Sequence, residues 1–320
     1  MALKNVLLLG GSGFVGSHIS RLLTEQGINV TIPTRRRERT KQLIMLPLVD
    51  MVEADINDEA TLQRLVQGKD AVINLVGLLH TTDASLTYGP TFAKAHVELP
   101  KKIVAACKSA GVRRLVHMSA LKASHDGPSE YLRSKADGEA AVLAARGSLD
   151  VTVFRPSVIF GLGDSFLTTF ANLLKIAPIF PVGAPDARFQ PVYVEDVARA
   201  FVASLVDPAT FGQAYDLCGP KTYSLRELIA YAGEVSGNPR KIVALNDFLA
   251  YLQAGLLMLA PKPLLSPDNL RSMEIDSVCD AGCKAPAGWH PLPLEAVAPT
   301  YLSPTMPRGR YNTFRQLAGR

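Results

Sequence analysis

The chain is poor in cysteine and tryptophan, with four and one respectively among its 320 residues. Four cysteines are too few for a disulfide framework in a chain of this length. Cys279 and Cys283 have the spacing of half a metal site, but no second Cys/His pair stands nearby and His290 alone does not complete one. We therefore predict free thiols, no bound metal and a reducing, cytoplasmic compartment.

No apolar run is long enough to cross a membrane. The most apolar stretch, 248–260, has 13 residues and ends at Pro261, whereas a spanning helix needs about 20. We predict that it forms a core helix of a smaller domain, with docking on a membrane surface or on an apolar, quinone-like ligand as the alternative. The N-terminus enters an apolar segment at once, without room for a signal peptide. We expect a cytoplasmic protein, peripheral at the inner face of the membrane if the apolar helix docks there.

A strong excess of charge is also lacking. The net charge is +5, and 20% of the residues are charged. Such a diffuse positive balance does not indicate nucleic-acid binding. With 48% hydrophobic residues and no low-complexity tract, the composition predicts a folded chain with a packed core rather than disorder.

What the chain does have is a glycine-rich junction near its N-terminus. Residues 6–9 are apolar without alternation, as in a strand buried on both faces, and helical spacing begins at Val15. Between them stands G-x-x-G-x-x-G, whose glycines allow a tight turn, close approach of a pyrophosphate and close helix packing. The helix N-terminus would offer N–H groups to the phosphates. We predict a dinucleotide site that is formed by Gly10, Ser12, Gly13, Phe14, Val15 and Gly16.

Strand and helix patterns alternate through the first half of the chain, which is typical of βαβ units and a parallel sheet. We predict an α/β fold: a doubly wound parallel sheet (Rossmann) in 1–160 and a smaller, mostly helical C-terminal lid in 161–320, interleaved by a return segment near 190–218. The predicted strands are 6–9, 30–34, 51–54, 71–76, 115–118, 151–154 and a returning 213–218. The predicted helices are 15–26, 59–66, 92–110, 131–145 and 197–206.

The end of the second predicted strand indicates which dinucleotide is bound. Proteins of this fold that use NAD carry an acidic residue there, about 20 residues after the glycines. This chain instead has Thr34 followed by Arg35 and Arg36. Because a guanidinium pairs with a 2′-phosphate in bidentate fashion, we predict NADP(H) as the preferred cofactor, contacted by Arg35 and Arg36. The alternatives are NAD(H) and a basic loop that is only solvated.

The residues after the third and fourth strands are placed to reach the rest of the dinucleotide. Asp55 and Ile56 are expected at the adenine, although Asp55 equally suits a turn or a helix cap. Leu75, Val76 and Gly77 are expected to line the ribose and the pyrophosphate.

A candidate reaction site combines a serine at a strand end with a Y-x-x-x-K sequence. Ser119 ends the fifth strand, and Tyr131 and Lys135 share one face of the following helix. A serine hydroxyl can bind a substrate carbonyl, and an ammonium beside a phenol lowers its pKa from about 10. We predict Ser119, Tyr131 and Lys135 as the catalytic residues. His117 alternates with apolar neighbours in the strand and is predicted to be a core residue.

Together these motifs resemble the short-chain dehydrogenase/reductase superfamily, in its extended and atypical branch, over residues 4–240. The resemblance rests on the glycine loop and on the segments 155–161 and 191–198. It implies that Pro156 and Val158 pass beside the nicotinamide, and that Tyr131 and Lys135 also hold its ribose. Two further segments, 131–136 and 264–273, look like bacterial relatives of the nucleotide-binding accessory subunit of respiratory complex I, which are NAD-dependent epimerase/dehydratase-like. That resemblance implies NADPH binding in a structural role.

Two departures from the catalytic family leave two functions open. Tyr131 follows Ser119 by only twelve positions, and His96 stands where the family has an asparagine. The first prediction is an NADPH-dependent reductase that acts on a small or isoprenoid, quinone-like carbonyl substrate. The second is a non-catalytic, NADPH-binding structural or redox-sensing subunit, whose partner is a respiratory or quinone-related complex or a membrane surface. The Tyr/Lys pair favours the first prediction, and the short segment with His96 favours the second.

Overall fold

The computed structural model describes residues 3–37, 41–81, 83, 85, 87–258, 264–306 and 314, with the side chains of 41 and 42 excepted. The last residues of the apolar stretch, 259–260, and Pro261 lie outside the described residues. The chain forms two compact units. The first comprises Met1–Pro156, Val197–Asp216 and Cys283–Ala287, and the second Ser157–Asp196, Leu217–Gly282 and Gly288–Arg320.

The secondary structure follows the alternation that the sequence predicts. The strands are β1 (Asn5–Leu9), β2 (Asn29–Thr34), β3 (Val49–Glu53), β4 (Ala71–Asn74), β5 (Arg114–Met118), β6 (Asp150–Pro156), β7 (Ile159–Phe160), β8 (Ile179–Val182), β9 (Arg188–Phe189), β10 (Val192–Tyr193), β11 (Gln213–Leu217), β12 (Tyr223–Ser224) and β13 (Lys241–Ala244). The helices are α1 (Phe14–Glu25), α2 (Lys41–Ile44), α3 (Glu59–Val66), α4 (Pro90–Phe92), α5 (Leu99–Ala110), α6 (Glu130–Leu143), α7 (Leu167–Ile176), α8 (Val194–Ser204), α9 (Leu225–Val235), α10 (Asp247–Met258), α11 (Pro267–Ser272), α12 (Leu294–Val297) and α13 (Pro299–Leu302). A π turn, Ala93–Glu98, joins α4 to α5, and a 3₁₀ turn spans Pro208–Thr210.

The central sheet has seven strands in the order β11-β6-β5-β4-β1-β2-β3. The pairings among β1 to β6 are parallel, and β11 is the predicted return strand. The order changes direction between β1 and β4, and doubly wound sheets open a crevice at the carboxyl ends of the strands at such a point. The predicted fold class is confirmed.

Burial on both faces explains why the sheet strands read as continuous apolar runs. Leu7, Val72, Leu115 and Val151 are fully buried in one core cluster with residues of the flanking helices. The fourth strand stops at Asn74, earlier than predicted, because the Asn74 side-chain oxygen accepts the Val76 N–H and turns the chain. These features fix where each strand end meets the crevice.

The second unit is built from small pieces. It contains three two-stranded pairings, β10 with β7, β12 with β9 and β13 with β8. Clusters of aromatic and aliphatic side chains pack around them, with Phe160, Leu167 and Leu228 fully buried in the largest. Here no single sheet supplies the core.

One prediction is wrong in the second unit, because Cys218 and Cys279 form a disulfide. The two residues are 61 positions apart, and their Cα atoms lie 6.2 Å apart. The two cysteines meet because Ser277 pairs with Phe189 of β9. The Gln190 N–H also donates a hydrogen bond to the Ser277 carbonyl at 3.1 Å. Among the described residues, Cys107 and Cys283 take no part in a disulfide, as predicted.

The helix of the apolar stretch, α10, is also not the core helix that the sequence predicts. Its small side chains Ala250 and Ala254 are buried against α11, whereas Phe248, Leu252 and Leu256 are 75%, 51% and 63% exposed. Because α10 packs closely against α11 through its alanines, its large side chains lie on the solvent-exposed face of the helix. Within the described ranges, no helix is long and apolar enough to cross a membrane.

Candidate dinucleotide site

A cleft of about 900 Å³ lies at the carboxyl ends of β1 to β4, wholly within the first unit. This is the crevice that the strand order opens. The cleft is lined by Gly10, Ser12, Gly13, Pro33, Thr34, Arg35, Arg36, Ala54, Asp55, Ile56, Asn57, Leu75, Val76, Gly77, Leu78, Thr91, Lys94, Ala95 and Leu99. The structure therefore brings the predicted residues after four different strands to one site.

The glycine loop forms the floor of this cleft by letting backbone segments approach closely. Gly10 has a positive φ of 79°, and a Cβ there would lie 3.1 Å from the Leu75 carbonyl carbon. A Cβ on Gly16 would lie 2.5 Å from the Gly11 Cα, so α1 can pack on the loop only with glycine at that position. Gly10 therefore lets the loop approach the segment after β4 closely, and Gly16 lets α1 pack on the loop.

The first turn of α1 follows directly on Gly13, which lines the cleft, whereas the residues of the turn itself do not. Phe14, Val15 and Gly16 form this turn, and Val15 and Gly16 are buried. The N-cap is Gly13, which makes no side-chain cap, and no acidic residue stands in the first turn. An uncapped helix N-terminus with its positive dipole end favours an anion such as a phosphate.

The cleft is lined by three cationic residues, Arg35, Arg36 and Lys94, and by one acidic residue, Asp55. Hydrogen bonds from the Asn57 N–H and side-chain amide, and then the charges of Lys94 and Arg35, lower the pKa of Asp55. Asp55 therefore stabilises a turn, which is one of the alternative roles predicted for it, and it also lines the cleft. The site is net positive, which suits a polyanionic ligand.

Lys94 was missed by sequence reasoning. It lies in the π turn after α4 and lines the cleft beside Ala95. A signal was available, because the helix after the fourth parallel strand begins at the same edge of the sheet as the glycine loop. A basic residue in its first turns could therefore be placed at the cleft.

His117 is a core residue, as predicted. It is buried in β5, and its Nδ1 accepts a hydrogen bond of 3.1 Å from the Asn74 side-chain nitrogen. Burial holds the pKa of His117 well below its ordinary value, so the ring is neutral. The same Asn74 side chain binds the Val76 N–H, which ties the strand end at the cleft to the core.

Ser119 and Lys135 meet at the carboxyl end of β5. The Lys135 Nζ donates to the Met118 carbonyl at 2.7 Å, and Ser119 is the next residue along the chain. The Ser119 Oγ is buried and has no hydrogen-bond partner among the described residues. Gly77 lines the cleft, and a Cβ there would lie 3.9 Å from the Lys135 Nζ. The Lys135 ammonium therefore lies next to the cleft. Ser119, Tyr131 and Lys135 border the cleft rather than line it.

The pKa of Tyr131 shifts in the direction opposite to the predicted one. Burial raises the pKa of the Tyr131 phenol to about 12, and it lowers the pKa of the Lys135 ammonium to about 8. The Lys135 ammonium is bound to the Met118 carbonyl, and desolvation by burial is the cause of the Tyr131 shift. The predicted lowering of the Tyr131 pKa by Lys135 is therefore wrong in this structure.

A buried carboxylate one helical turn after Lys135 links α6 to β6. Glu139 makes an ion pair with Arg155, whose Nε donates to the Glu139 carboxylate at 2.9 Å, and Arg155 Nη1 lies 3.6 Å from Asp216. The negative charge of Glu139 partly counters the lowering of the Lys135 pKa. Pro156, predicted at the nicotinamide, ends β6 in the first unit, whereas Val158 belongs to the second unit.

His96 lies on the far side of Gly77 from the glycine loop. Its Nε2 accepts the Leu78 N–H at 3.0 Å, and its Nδ1 lies 2.8 Å from the Ser134 Oγ. The ring stacks on Phe92 and meets Tyr131 edge to face, with centroid distances of 5.2 and 5.7 Å. Burial first, and then the charges of Lys135 and His117, lower the pKa of His96 to about 2. The residue that replaces the family's asparagine is thus a neutral, fully packed histidine.

Comparison with known proteins gives a consistent result. The family model described as "NAD dependent epimerase/dehydratase family" matches residues 6–218. The mitochondrial NADH dehydrogenase [ubiquinone] 1 alpha subcomplex subunit 9 of Mus musculus is 30% identical over 97% of this chain and 81% of that protein. The ceramide reductase of Caulobacter vibrioides is 27% identical over 79% of this chain and 77% of that protein. Among solved structures, gox2253 superposes with a TM-score of 0.71 at 20% identity and covers 98% of both chains.

Proposed function

The chain belongs to the NAD dependent epimerase/dehydratase family, and from that premise we propose that it binds NADP(H) in the cleft of its first unit and uses it as a reductase. The observation that carries the proposal is the combination of a glycine floor, an uncapped α1 and a net positive lining. These features fit a dinucleotide that carries an additional phosphate.

The preference for NADP(H) rests on the end of β2. Thr34 stands where a ribose-binding carboxylate would select NAD, and Arg35 and Arg36 follow it in the lining of the cleft. Two exposed guanidiniums can bind the 2′-phosphate in bidentate fashion. Lys94 adds a third positive charge to the lining of the cleft, and the charges of Lys94 and Arg35 both act on Asp55.

The test compares two cofactors in matched variants. The double variant Arg35→Ala/Arg36→Ala should weaken NADPH binding about 100-fold and NADH binding less than threefold, because only NADPH presents the 2′-phosphate. Arg37→Ala is the control, since Arg37 is an exposed neighbour outside the lining of the cleft. Isothermal titration calorimetry measures both affinities, and equal losses for the two cofactors would contradict the assignment.

The side chains at the end of β5 support reduction of a carbonyl. When bound, the nicotinamide supplies a hydride. Ser119, whose buried Oγ is unpartnered, would bind the substrate oxygen, and Tyr131 would give its phenolic proton to the alkoxide that hydride addition produces. A phenol with a pKa of about 12 stays protonated at neutral pH, so it suits a proton donor better than a base. Lys135 would bind the nicotinamide ribose.

The substrate that we propose is a small or isoprenoid, quinone-like carbonyl compound. The ceramide reductase among the relatives is named for a lipid substrate. The exposed apolar side chains Phe248, Leu252 and Leu256 of α10 also suit a protein that works beside apolar molecules. With this substrate class, the protein would be cytoplasmic and peripheral at the inner face of the membrane.

A second candidate function is an NADPH-binding structural or redox-sensing subunit of a respiratory or quinone-related complex. Two observations favour it: the relative from Mus musculus is named as a subunit of NADH dehydrogenase, and the exposed face of α10 would suit a partner. In this role the bound cofactor would stabilise the folded protein by mass action rather than turn over.

Purification without added nucleotide separates the two functions. The retained cofactor is identified by absorbance and mass spectrometry, and the protein is then exposed to panels of carbonyl compounds and quinones. Consumption of NADPH with one of these substrates would support the reductase, and its loss in Tyr131→Phe with unchanged NADPH affinity would assign the proton donor. Retained NADPH that no substrate oxidises would support the structural role. Recovery of NAD(H) alone would contradict the preference for NADP(H).

A further inference from the structure

The hydrogen bonds around His96 admit a single protonation state. The Leu78 N–H is a donor and points at Nε2 at 3.0 Å, so Nε2 carries no proton. A neutral imidazole must then carry its proton on Nδ1, which donates to the Ser134 Oγ at 2.8 Å. The Ser134 hydroxyl in turn donates to the Tyr131 carbonyl at 2.9 Å. Every donor in this chain of bonds has one acceptor.

These bonds join two parts of the proposed site. Leu78 and Gly77 line the cleft after β4, whereas Ser134 lies in α6 between Tyr131 and Lys135. A Cβ at Gly77 would lie 3.8 Å from the His96 Nε2 and 3.9 Å from the Lys135 Nζ, so the three groups are immediate neighbours. The imidazole is the one side chain in the described hydrogen-bond pattern that touches both the Leu78 backbone and α6.

We propose that His96, as its Nδ1–H tautomer, is a positioning residue of the dinucleotide site. It fixes the Gly77–Leu78 segment of the cleft relative to the helix that carries Tyr131 and Lys135. This inference rests on the proposed function, because the positioned segment matters only if a dinucleotide occupies the cleft.

The packing of the surrounding elements keeps the imidazole in one place. The π turn carries His96, Phe92 covers one ring face, and Tyr131 meets the ring edge to face. A Cβ on Gly138 of α6 would lie 1.8 Å from the His96 carbonyl oxygen, so α6 and the π turn are in backbone contact. π turns inside helices are frequent at functional sites.

The charged and titratable groups that face the ring all oppose its protonation. Lys135 on α6 and His117 on β5 add to the effect of burial and lower the pKa of His96. Protonation would also place an N–H against the Leu78 N–H. The clamp between the π turn, Leu78 and Ser134 therefore persists throughout the neutral pH range.

The first measurement is the tautomer of His96 in the wild-type protein. Two-dimensional ¹⁵N–¹H NMR of the imidazole should show a protonated Nδ1 and an unprotonated Nε2 from pH 6 to pH 8, and the Leu78 amide should exchange slowly with solvent. A protonated Nε2, or an imidazolium at pH 6, would overturn the proposal. This measurement needs no cofactor, so its result is independent of the proposed function.

The second measurement is dinucleotide affinity in variants that remove the clamp. His96→Phe keeps a ring between Phe92 and Tyr131 but removes both nitrogens, and Ser134→Ala removes only the link to α6. We expect both variants to bind NADPH and NADH roughly tenfold more weakly, with the ratio of the two affinities unchanged, because the clamp lies away from the arginines that select the 2′-phosphate. The control is His290→Phe, which changes an exposed histidine of the second unit and should bind as the wild type does.

The outcomes separate the two proposals. If wild-type protein binds neither NADPH nor NADH, the proposed function fails and the positioning role fails with it. If the wild type binds and a folded His96→Phe or Ser134→Ala binds equally well, only the positioning role is overturned. If His96→Phe does not fold, two other measurements test the positioning role. They are the dinucleotide affinity of Ser134→Ala and the exchange rate of the Leu78 amide in the wild type.

Discussion

The two units of the chain are stabilised in different ways. The first packs β1, β4, β5 and β6 against flanking helices in one large core cluster, and it also buries polar and charged groups such as His117 and Lys135. The second divides its apolar side chains among small clusters and adds a disulfide between Cys218 and Cys279. A large sheet can hold buried functional groups in place, whereas short strand pairs depend on a covalent link for part of their stability.

The largest expected effect is therefore in the second unit, on removal of the disulfide. The loop that it closes, with a sequence separation of 61 residues, corresponds to about 4 kcal/mol in the free energy of unfolding by the chain-entropy relation. Cys218→Ser and Cys279→Ser should each lower the urea midpoint of the second unit, and a reductant should do the same to the wild type.

Cys283→Ser serves as the control, because Cys283 lies only four residues after Cys279 and takes no part in the disulfide. This variant should unfold like the wild type and respond equally to a reductant. Thiol titration before and after denaturation counts the paired cysteines. A wild-type protein with four reactive thiols when denatured without reductant would contradict the disulfide.

The next effect, in the first unit, concerns the buried amine of Lys135. Burial lowers its pKa from 10.5 to about 8 in the folded protein. Between these two values the unfolded chain binds a proton that the folded protein does not, so the free energy of unfolding rises with pH in this window. Relative to Lys135→Met, the stability of the wild type should rise by about 2 kcal/mol from pH 8 to pH 10.

The comparison with Lys135→Met at each pH cancels the titration of the other groups. The measurement is a series of urea unfolding curves of both proteins from pH 7 to pH 10. A flat difference would mean that the amine has its ordinary pKa in the folded state. The folded first unit would then contain no destabilised ammonium next to the cleft. Its ability to hold buried charged groups, which distinguishes it from the second unit, would be in doubt.

The sequence predicted the parts of the site that follow from local pattern. The glycine loop, the strand ends and the arginines after β2 are set by the periodicity of a buried strand and by the position of each strand end, so Gly10, Arg35 and Gly77 reach one cleft as expected. The parts that it did not predict depend on contacts between distant residues. The disulfide joins segments that are far apart in the chain, and the shift of the Tyr131 pKa depends on burial of the phenol by the folded chain.

The smallest expected effect concerns the large side chains of α10. Leu252 and Leu256 are 51% and 63% exposed, so Leu252→Ser and Leu256→Ser should each change the free energy of unfolding by no more than about 0.5 kcal/mol. By contrast, Ala254→Leu places a large side chain where Ala254 is fully buried, and it should cost about 1 to 3 kcal/mol. Circular dichroism in urea measures all three variants. Losses this small in the serine variants would show that the alanines carry the packing of α10 and that the two leucines are dispensable for folding. A loss of more than 1.5 kcal/mol in either serine variant would instead show that the leucines belong to the core of the second unit, as the sequence predicted.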